Sequence, residues 1–222
     1  MSDVAPGASY LNKHRLEALT DGIFAVAMTL LVIELKIPES AHITRHAELG
    51  AALLHLIPKF IAWVISFFVL AIFWTSHHRL FHDVRVVDTR LTWLTLAYLA
   101  CVSLMPFSSA LTGEYGGLLS QMFYSANMAL LGTMALLKSR YVHRHPALCS
   151  SPLSANMYKA SRLRTMGLII IAALAVVIAW ALPGMGAIGN TAFMLMIVFG
   201  MIGRRIEARD TPKQTEAQFL NT

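Results

Sequence analysis

Long apolar runs alternate with short charged clusters along this chain, and the pattern predicts six membrane-spanning helices. The runs cover Gly22 to Ile33, Leu53 to Trp74, Leu91 to Leu111, Leu118 to Leu137, Met166 to Leu182 and Ala187 to Ile202. A spanning helix needs roughly 20 residues at 1.5 Å rise. The first run has only twelve uncharged residues, so to cross it must bring Arg15, Glu17, Asp21 or Glu34 against the bilayer boundary. That is costly for groups without partners, and it marks the first helix as a working part rather than an anchor. The second run is interrupted near its start by His55, Pro58 and Lys59. Pro106 predicts a kink in the third. Gln121, Ser125 and Asn127 punctuate the fourth, and a tight Pro-Gly-Met-Gly turn joins the last two. The expected organisation is all-α and polytopic: an N-terminal segment over 1–12, a six-helix membrane domain over 13–204 and a tail over 205–222.

Composition agrees. The 222 residues are 56% hydrophobic and 14% charged, with mean hydropathy +0.59, whereas soluble domains carry about 25% charged residues. The opening residues lack the ordered parts of a secretory signal peptide. Two cysteines exclude a disulfide framework or a Cys-rich zinc site. Cys101 falls in a predicted span and Cys149 in a predicted loop, so no bridge is expected between them. The net charge of +6 is explained by where the charges lie. Fifteen of the 18 Lys and Arg fall in segments on one side of the six predicted spans. This bias places both termini in the cytoplasm of a multi-pass cell-membrane protein. The surplus also suits contact with anionic lipid, and the pattern is not that of a nucleic-acid binder. Lys138 to Arg164 contains basic but no acidic residues, with Pro146 and Pro152, and reads as an exposed cytoplasmic loop.

On a helical wheel Val26, Thr29 and Ile33 share one face, with Leu30 at its edge and Gly22 extending it. From periodicity alone, an ordinary packing stripe is the leading reading. The polar residues around the stripe favour a further role. Arg15 and Asp21 are six apart, about 240° around the helix, so they are not an (i, i+4) pair. Each needs a partner from another helix. The end of the second span, Phe73-Trp-Thr-Ser-His-His-Arg79, returns to the same depth. The expectation is a buried polar network of Arg15, Thr20, Asp21, Trp74, Ser76, His77 and His78 that fixes the tilt and rotation of the first helix.

The run Arg15-x-x-x-Leu19-Thr20-Asp21-Gly-Ile-Phe-x-x-x-x-Thr29-Leu30 resembles the signature of the transmembrane protein 175 family of potassium channels. The family pattern is Arg-x-x-x-Phe-Ser-Asp, seven residues, then Thr-Leu. Leu19 stands where Phe is usual and Thr20 where Ser is usual; Thr20 keeps the hydroxyl, while Leu19 loses an aromatic edge. Glu34-Leu35 with Pro38, and the Trp and His residues ending span two, are also similar to prokaryotic members. The resemblance implies a homotetramer, with four first helices lining a pore around the symmetry axis. It places the narrowest hydrophobic ring at Val26, further layers at Leu30 and Ile33, and hydroxyls at Thr29. The implied function is a weakly discriminating potassium channel that also passes protons, with potassium ions and the lipid bilayer as its partners. Neither a cofactor nor a metal is implied. The chain lacks a Thr-Val-Gly-Tyr-Gly loop, so a carbonyl filter is not expected.

Two rival readings are weaker. A His-ligated membrane metalloenzyme could use His42/His46 or His78/His82, whose His-x-x-x-His spacing puts two imidazoles on one face. The two pairs fall on opposite sides of the predicted membrane, with too few further ligands nearby. A secondary transporter or proton pathway could use Asp21 and His77, but the inverted repeats of transporters are not evident. Ser103, Ser108 and Ser109 lie outside any Gly-x-Ser-x-Gly context, and helix–helix hydrogen bonding is their expected role.

Overall fold

Residues 12–36, 46–150, 155–182, 192–195, 201–202 and 205 are described in a computed structural model, and most are helical. Helix α1 (Lys13–Ile33) begins where the Asn12 side chain accepts the His14 backbone N–H at 3.0 Å. Such a cap satisfies an otherwise orphaned amide. After the short α2 (His46–His55), α3 (Ile57–Asp83) starts afresh with Pro58 in its first turn. Proline suits that position because the amide it lacks would be unpaired there anyway. The second apolar run is therefore split. Leu53 to His55 end α2, and the span itself runs on to Asp83, nine residues beyond Trp74.

Asp88 caps α4 (Thr89–Ser103) by accepting the Leu91 amide at 2.8 Å. The chain breaks at Leu104 and resumes as α5 (Met105–Tyr115), with Pro106 in the first turn. This is the expected kink, and α4 and α5 together make one span. Gly116 ends α5 at φ +56°, a left-handed conformation that glycine adopts without a Cβ penalty. Helix α6 (Leu118–Arg144) and helix α7 (Ala155–Ala181) follow, with a 3₁₀ turn at Pro146–Leu148 between them.

Among the described residues, four segments are long and apolar enough to cross a membrane: Lys13–Ile33, Ile57–Asp83, Thr89–Tyr115 and Asn156–Ala181. Helix α6 is equally long but more polar. Its Gln121, Ser125 and Asn127 are buried, so they are turned into the bundle. The Pro-Gly-Met-Gly turn lies outside the described residues, as do Pro38 and most of Ala187 to Ile202 and of the tail. From the sixth run, Phe193 is buried edge-on against Tyr124, with ring centroids 5.2 Å apart.

The core brings together Phe24 and Leu31 of α1, Leu70 and Phe73 of α3, Tyr98 and Val102 of α4, Tyr124 and Met128 of α6, and Leu168 of α7. Ser66 of α3 donates to Ser109 of α5 at 2.9 Å and lies 2.9 Å from the Tyr124 hydroxyl. Asn127 donates to Ser108 at 3.2 Å. Ser108 and Ser109 thus link helices, as expected, whereas Ser103 donates within its own helix, to the Ala100 carbonyl at 2.9 Å. At Gly132 a Cβ would lie 2.8 Å from Leu168 Cδ2, so its absence lets α6 and α7 approach closely. Thr165 of α7 donates to the Gly132 carbonyl at 3.0 Å. Small residues and cross-helix hydroxyl bonds are the usual means of holding helices together where lipid supplies no hydrophobic drive.

The basic segment Lys138 to Arg164 departs from the expected exposed loop. Lys138 to Arg144 finish α6, and Lys159, Arg162 and Arg164 belong to α7. Lys138 and Arg164 are buried, at 1% and 7% exposure. The tip is held as well. Arg85 and Val86 both donate backbone amides to the Leu148 carbonyl, at 2.7 and 3.1 Å, and Ser150 donates to Asp83 at 2.9 Å. Leu148 then joins a second cluster with Leu16, Phe81, Val87 and Val142 that closes this end of the bundle.

Candidate functional site

Helix α1 has two faces. Leu16, Thr20, Phe24, Ala27 and Leu31, spaced by four, four, three and four, are buried. That stripe packs on α3, α4 and α5. The other face carries Val26, Leu30 and Ile33, exposed at 56%, 41% and 49%, together with exposed Gly22 and Thr29. All four residues expected at a constriction therefore stand on the face that the other described residues leave exposed. Lipid would accommodate the apolar members, but Thr29 on this face and exposed Asp21 near it suit an aqueous or subunit-facing surface better.

Thr29 has a specific arrangement. Its hydroxyl lies 3.0 Å from the Ala25 carbonyl and 2.9 Å from that of Val26, so its proton is committed to the helix backbone. The oxygen lone pairs remain free to meet a cation. Leu30 lies on the flank toward α4, where Leu19, Gly22, Val26, Leu30 and Ser103 help to form an apolar groove of about 380 Å³. The position that departs from the family's aromatic residue, Leu19, thus faces out of the fold at 45% exposure.

The expected polar network divides into two. In the first part, Trp74 Nε1 donates to Asp21 Oδ1 at 2.8 Å, and the Trp74 ring stacks on His78 with centroids 5.9 Å apart. This ties the start of α1 to the end of α3 and fixes the rotation of α1. Thr20 is fully buried, with its hydroxyl donating to the Leu16 carbonyl at 2.8 Å, so it bonds back to its own helix rather than joining Asp21. Ser76 likewise donates within its helix, to Ile72 at 2.7 Å. Arg15 is exposed, and among the described residues no ion pair links it to Asp21.

His77 belongs to the second part. It continues the buried stripe Leu70, Phe73, His77 and Leu80, whereas Trp74 and His78, four apart, share a different face. Its Nδ1 lies 2.9 Å from Lys138 Nζ, which sits 3.4 Å from the centroid of the Tyr98 ring. Sequence reasoning missed Lys138 because a lysine beside basic residues reads as solvated. A signal was available: Tyr124, Met128, Leu131, Lys138 and Val142 form one stripe at helical spacing, and all are buried.

Glu34 caps the far end of α1 and is exposed. His82 pairs with the neighbouring Asp83 at 3.1 Å rather than with His78. Among the described residues no three His, Cys, Asp or Glu side chains are grouped to hold a metal. His42 and the His46 side chain lie outside the described residues.

The sequence and the fold both match known proteins. Residues 15–106 match the family model described as endosomal/lysosomal potassium channel TMEM175, a family of ion channels rather than enzymes. The chain is 37% identical to a potassium channel of Chryseobacterium sp. (strain P1-3), over 46% of this chain and 50% of that one. It is 39% identical to a potassium channel of Chamaesiphon minutus, over 46% and 49% respectively. The chain spans about half the length of these curated relatives. Among solved structures it is similar to a lysosomal potassium-selective channel TMEM175 homolog from Chamaesiphon minutus, at TM-score 0.71 and 26% identity. That match covers 86% of this chain and 97% of the other. The match to the TMEM175 family model thus runs from Arg15, at the head of α1, to Pro106, at the kink of the third span, which is less than half of the chain.

Proposed function

We propose that the chain is one subunit of a potassium-selective channel whose first helices, one from each of four copies, surround a common pathway. The observation that carries this reading is the unburied face of α1, where Val26, Thr29, Leu30 and Ile33 stand between the Asp21–Trp74 contact and Glu34. The potassium-channel names of the relatives support the choice of ion. The number of copies follows from the resemblance of residues 15 to 38 to the family's prokaryotic members.

In this reading Val26 forms the narrowest ring, Leu30 and Ile33 add apolar layers, and Thr29 offers hydroxyl oxygens between them. An apolar ring makes an ion shed water before passing. Potassium holds its hydration less tightly than sodium, so it passes more readily and discrimination is modest. The same rings gate by dewetting, and a hydrated state of the pathway also passes protons. The Asp21–Trp74 bond sets the rotation that keeps the rings facing one another. The apolar groove beside Leu19 and Leu30 receives the neighbouring copy. The basic end of the bundle faces the cytoplasm with both termini, the six-helix channel domain fills 13–204, and the cell membrane is its location, with anionic lipid at the basic boundary.

Ion flux in liposomes tests the reading. Purified protein should pass potassium in preference to sodium, and Val26→Ala should move that preference toward equality. Selectivity unchanged by substitution at each of Val26, Thr29 and Leu30 would overturn it.

A further inference from the structure

We infer that His77 and Lys138 form a proton-operated latch between α3 and α6, in which a proton taken up at His77 Nδ1 releases the Lys138 ammonium. The two nitrogens lie 2.9 Å apart, and both residues are buried, at 5% and 1% exposure. A hydrogen bond between two basic nitrogens needs a lone pair on one of them. The contact therefore holds one excess proton and never two. The Tyr98 ring marks where that proton sits. Lys138 Nζ lies 3.4 Å from the ring centroid, the place of a cation over an aromatic face. Lys138 is then the ammonium, and neutral His77 accepts at Nδ1 while Nε2 carries the ring proton.

A second proton can enter the ring only at Nδ1, because Nε2 already holds one. It turns the acceptor into a donor and sets two positive charges against each other in a place shielded from water, where repulsion is strong. Lys138 then has to leave, and α6 parts from α3 at this point. Among the described residues, the other titratable or charged groups facing the same chamber are Tyr98 of α4 and Arg164 of α7. The Tyr98 hydroxyl donates to the Phe73 carbonyl at 3.1 Å. Arg164 keeps its charge at every working pH, so its effect is constant. On α3 itself, His78 stacks on Trp74, and Trp74 binds Asp21 of α1 on a different face. The pH-dependent step is thus confined to the His77–Lys138 contact. Unfolding exposes both side chains to water, where imidazole takes up a proton at about pH 6.5 and lysine is already charged. Below that pH the unfolded chain binds a proton that the closed latch refuses, so stability falls as pH falls.

This inference stands on its own, whether or not α1 lines a pathway. The purified full chain in detergent tests it by equilibrium unfolding. His77→Asn places an amide oxygen near the position of Nδ1, so it keeps an acceptor for Lys138 that does not titrate. Between about pH 6.5 and about pH 5.5, the folding equilibrium constant of wild type should fall about fivefold more than that of His77→Asn. Lys138→Met removes the opposing charge and should shrink the acid loss as well. Hydrogen exchange gives a second readout that needs no variant. After correction for the intrinsic rate, exchange in the segments 74–83 and 135–144 of wild type should rise on acidification. Equal acid loss in wild type and His77→Asn, an acid loss unchanged in Lys138→Met, or no rise in exchange in those two segments would overturn the inference.

Discussion

Val26 and Thr29 sit three residues apart on the exposed face of α1, and in the proposed pore they would meet a passing ion in different ways. Val26 offers only bulk, so Val26→Ala should widen its ring and shift the reversal potential under mixed potassium and sodium gradients toward that of an unselective pore. Thr29 offers oxygen lone pairs because its proton is bound to the backbone at 2.9–3.0 Å. Thr29→Val keeps the shape and removes those lone pairs, so potassium conductance should fall while the protein folds as before. Wild-type conductance in Thr29→Val would leave Leu30 as the second layer. Trp74 gives a third test at this scale. Trp74→Phe keeps the ring but loses the donor to Asp21. Thermal unfolding in detergent should register a loss of about 1 kcal/mol or more, because hydrogen bonds to a charged acceptor exceed the usual net value. His78 should not compensate, since it stacks on the ring instead of contacting the carboxylate.

Helices in this bundle are positioned by a few polar contacts across otherwise apolar surfaces. Ser66 of α3 sits at the centre of one such set, within 2.9 Å of both Ser109 and Tyr124. Ser66→Ala leaves two buried hydroxyls short of a partner and should cost about 1 kcal/mol, measurable as a lower melting temperature. Gly116 acts at an element boundary. Its φ of +56° lets α5 end sharply before α6 begins. Gly116→Ala has open space for its Cβ, so its cost of about 1 kcal/mol comes from backbone conformation alone. The kink between α4 and α5 has a local cause in Pro106. The separation of α2 from α3 has the same kind of cause in Pro58. Both prolines start a helix rather than interrupting one.

At the scale of the whole molecule, the described residues bury only one stripe of α1. Its buried stripe serves the bundle, and in the proposed channel its exposed stripe faces other copies. A cysteine placed at Val26 in the purified protein should therefore cross-link copies across the proposed axis, and the products should stop at the size set by the number of copies around it. A ladder of open-ended products, or none, would count against a closed ring. The end of the bundle at which α1 begins is built differently. There the α3–α4 and α6–α7 connections pair through backbone bonds to Leu148, and Lys138 and Arg164 are drawn into the interior. The basic end is thus a packed cap and not a set of free loops.

The apolar runs sufficed to read an all-α membrane fold, because a lipid-facing helix must be apolar over its whole length and that demand is local. Pro106 and its kink were legible for the same reason, as was the grouping of Val26, Thr29 and Ile33 on one face of α1; spacing alone read that face as a packing stripe, and only the structure leaves it exposed. Partnerships were legible only in part, since the expected network held Asp21 and Trp74, which bond, together with His77, which has another partner. His77 and Trp74 differ by three residues on α3, and only packing against α6 decides that one meets Lys138 while the other reaches Asp21. A lysine in a basic stretch is read as solvated until its helix register is compared with that of the apolar residues before it. Lys138 was buried by the approach of α3 and α7 to α6. Sequence by itself determined which surfaces must avoid water, a property of each residue. The tertiary structure decided which polar groups share an enclosed space, because that depends on the rotation of several helices at once.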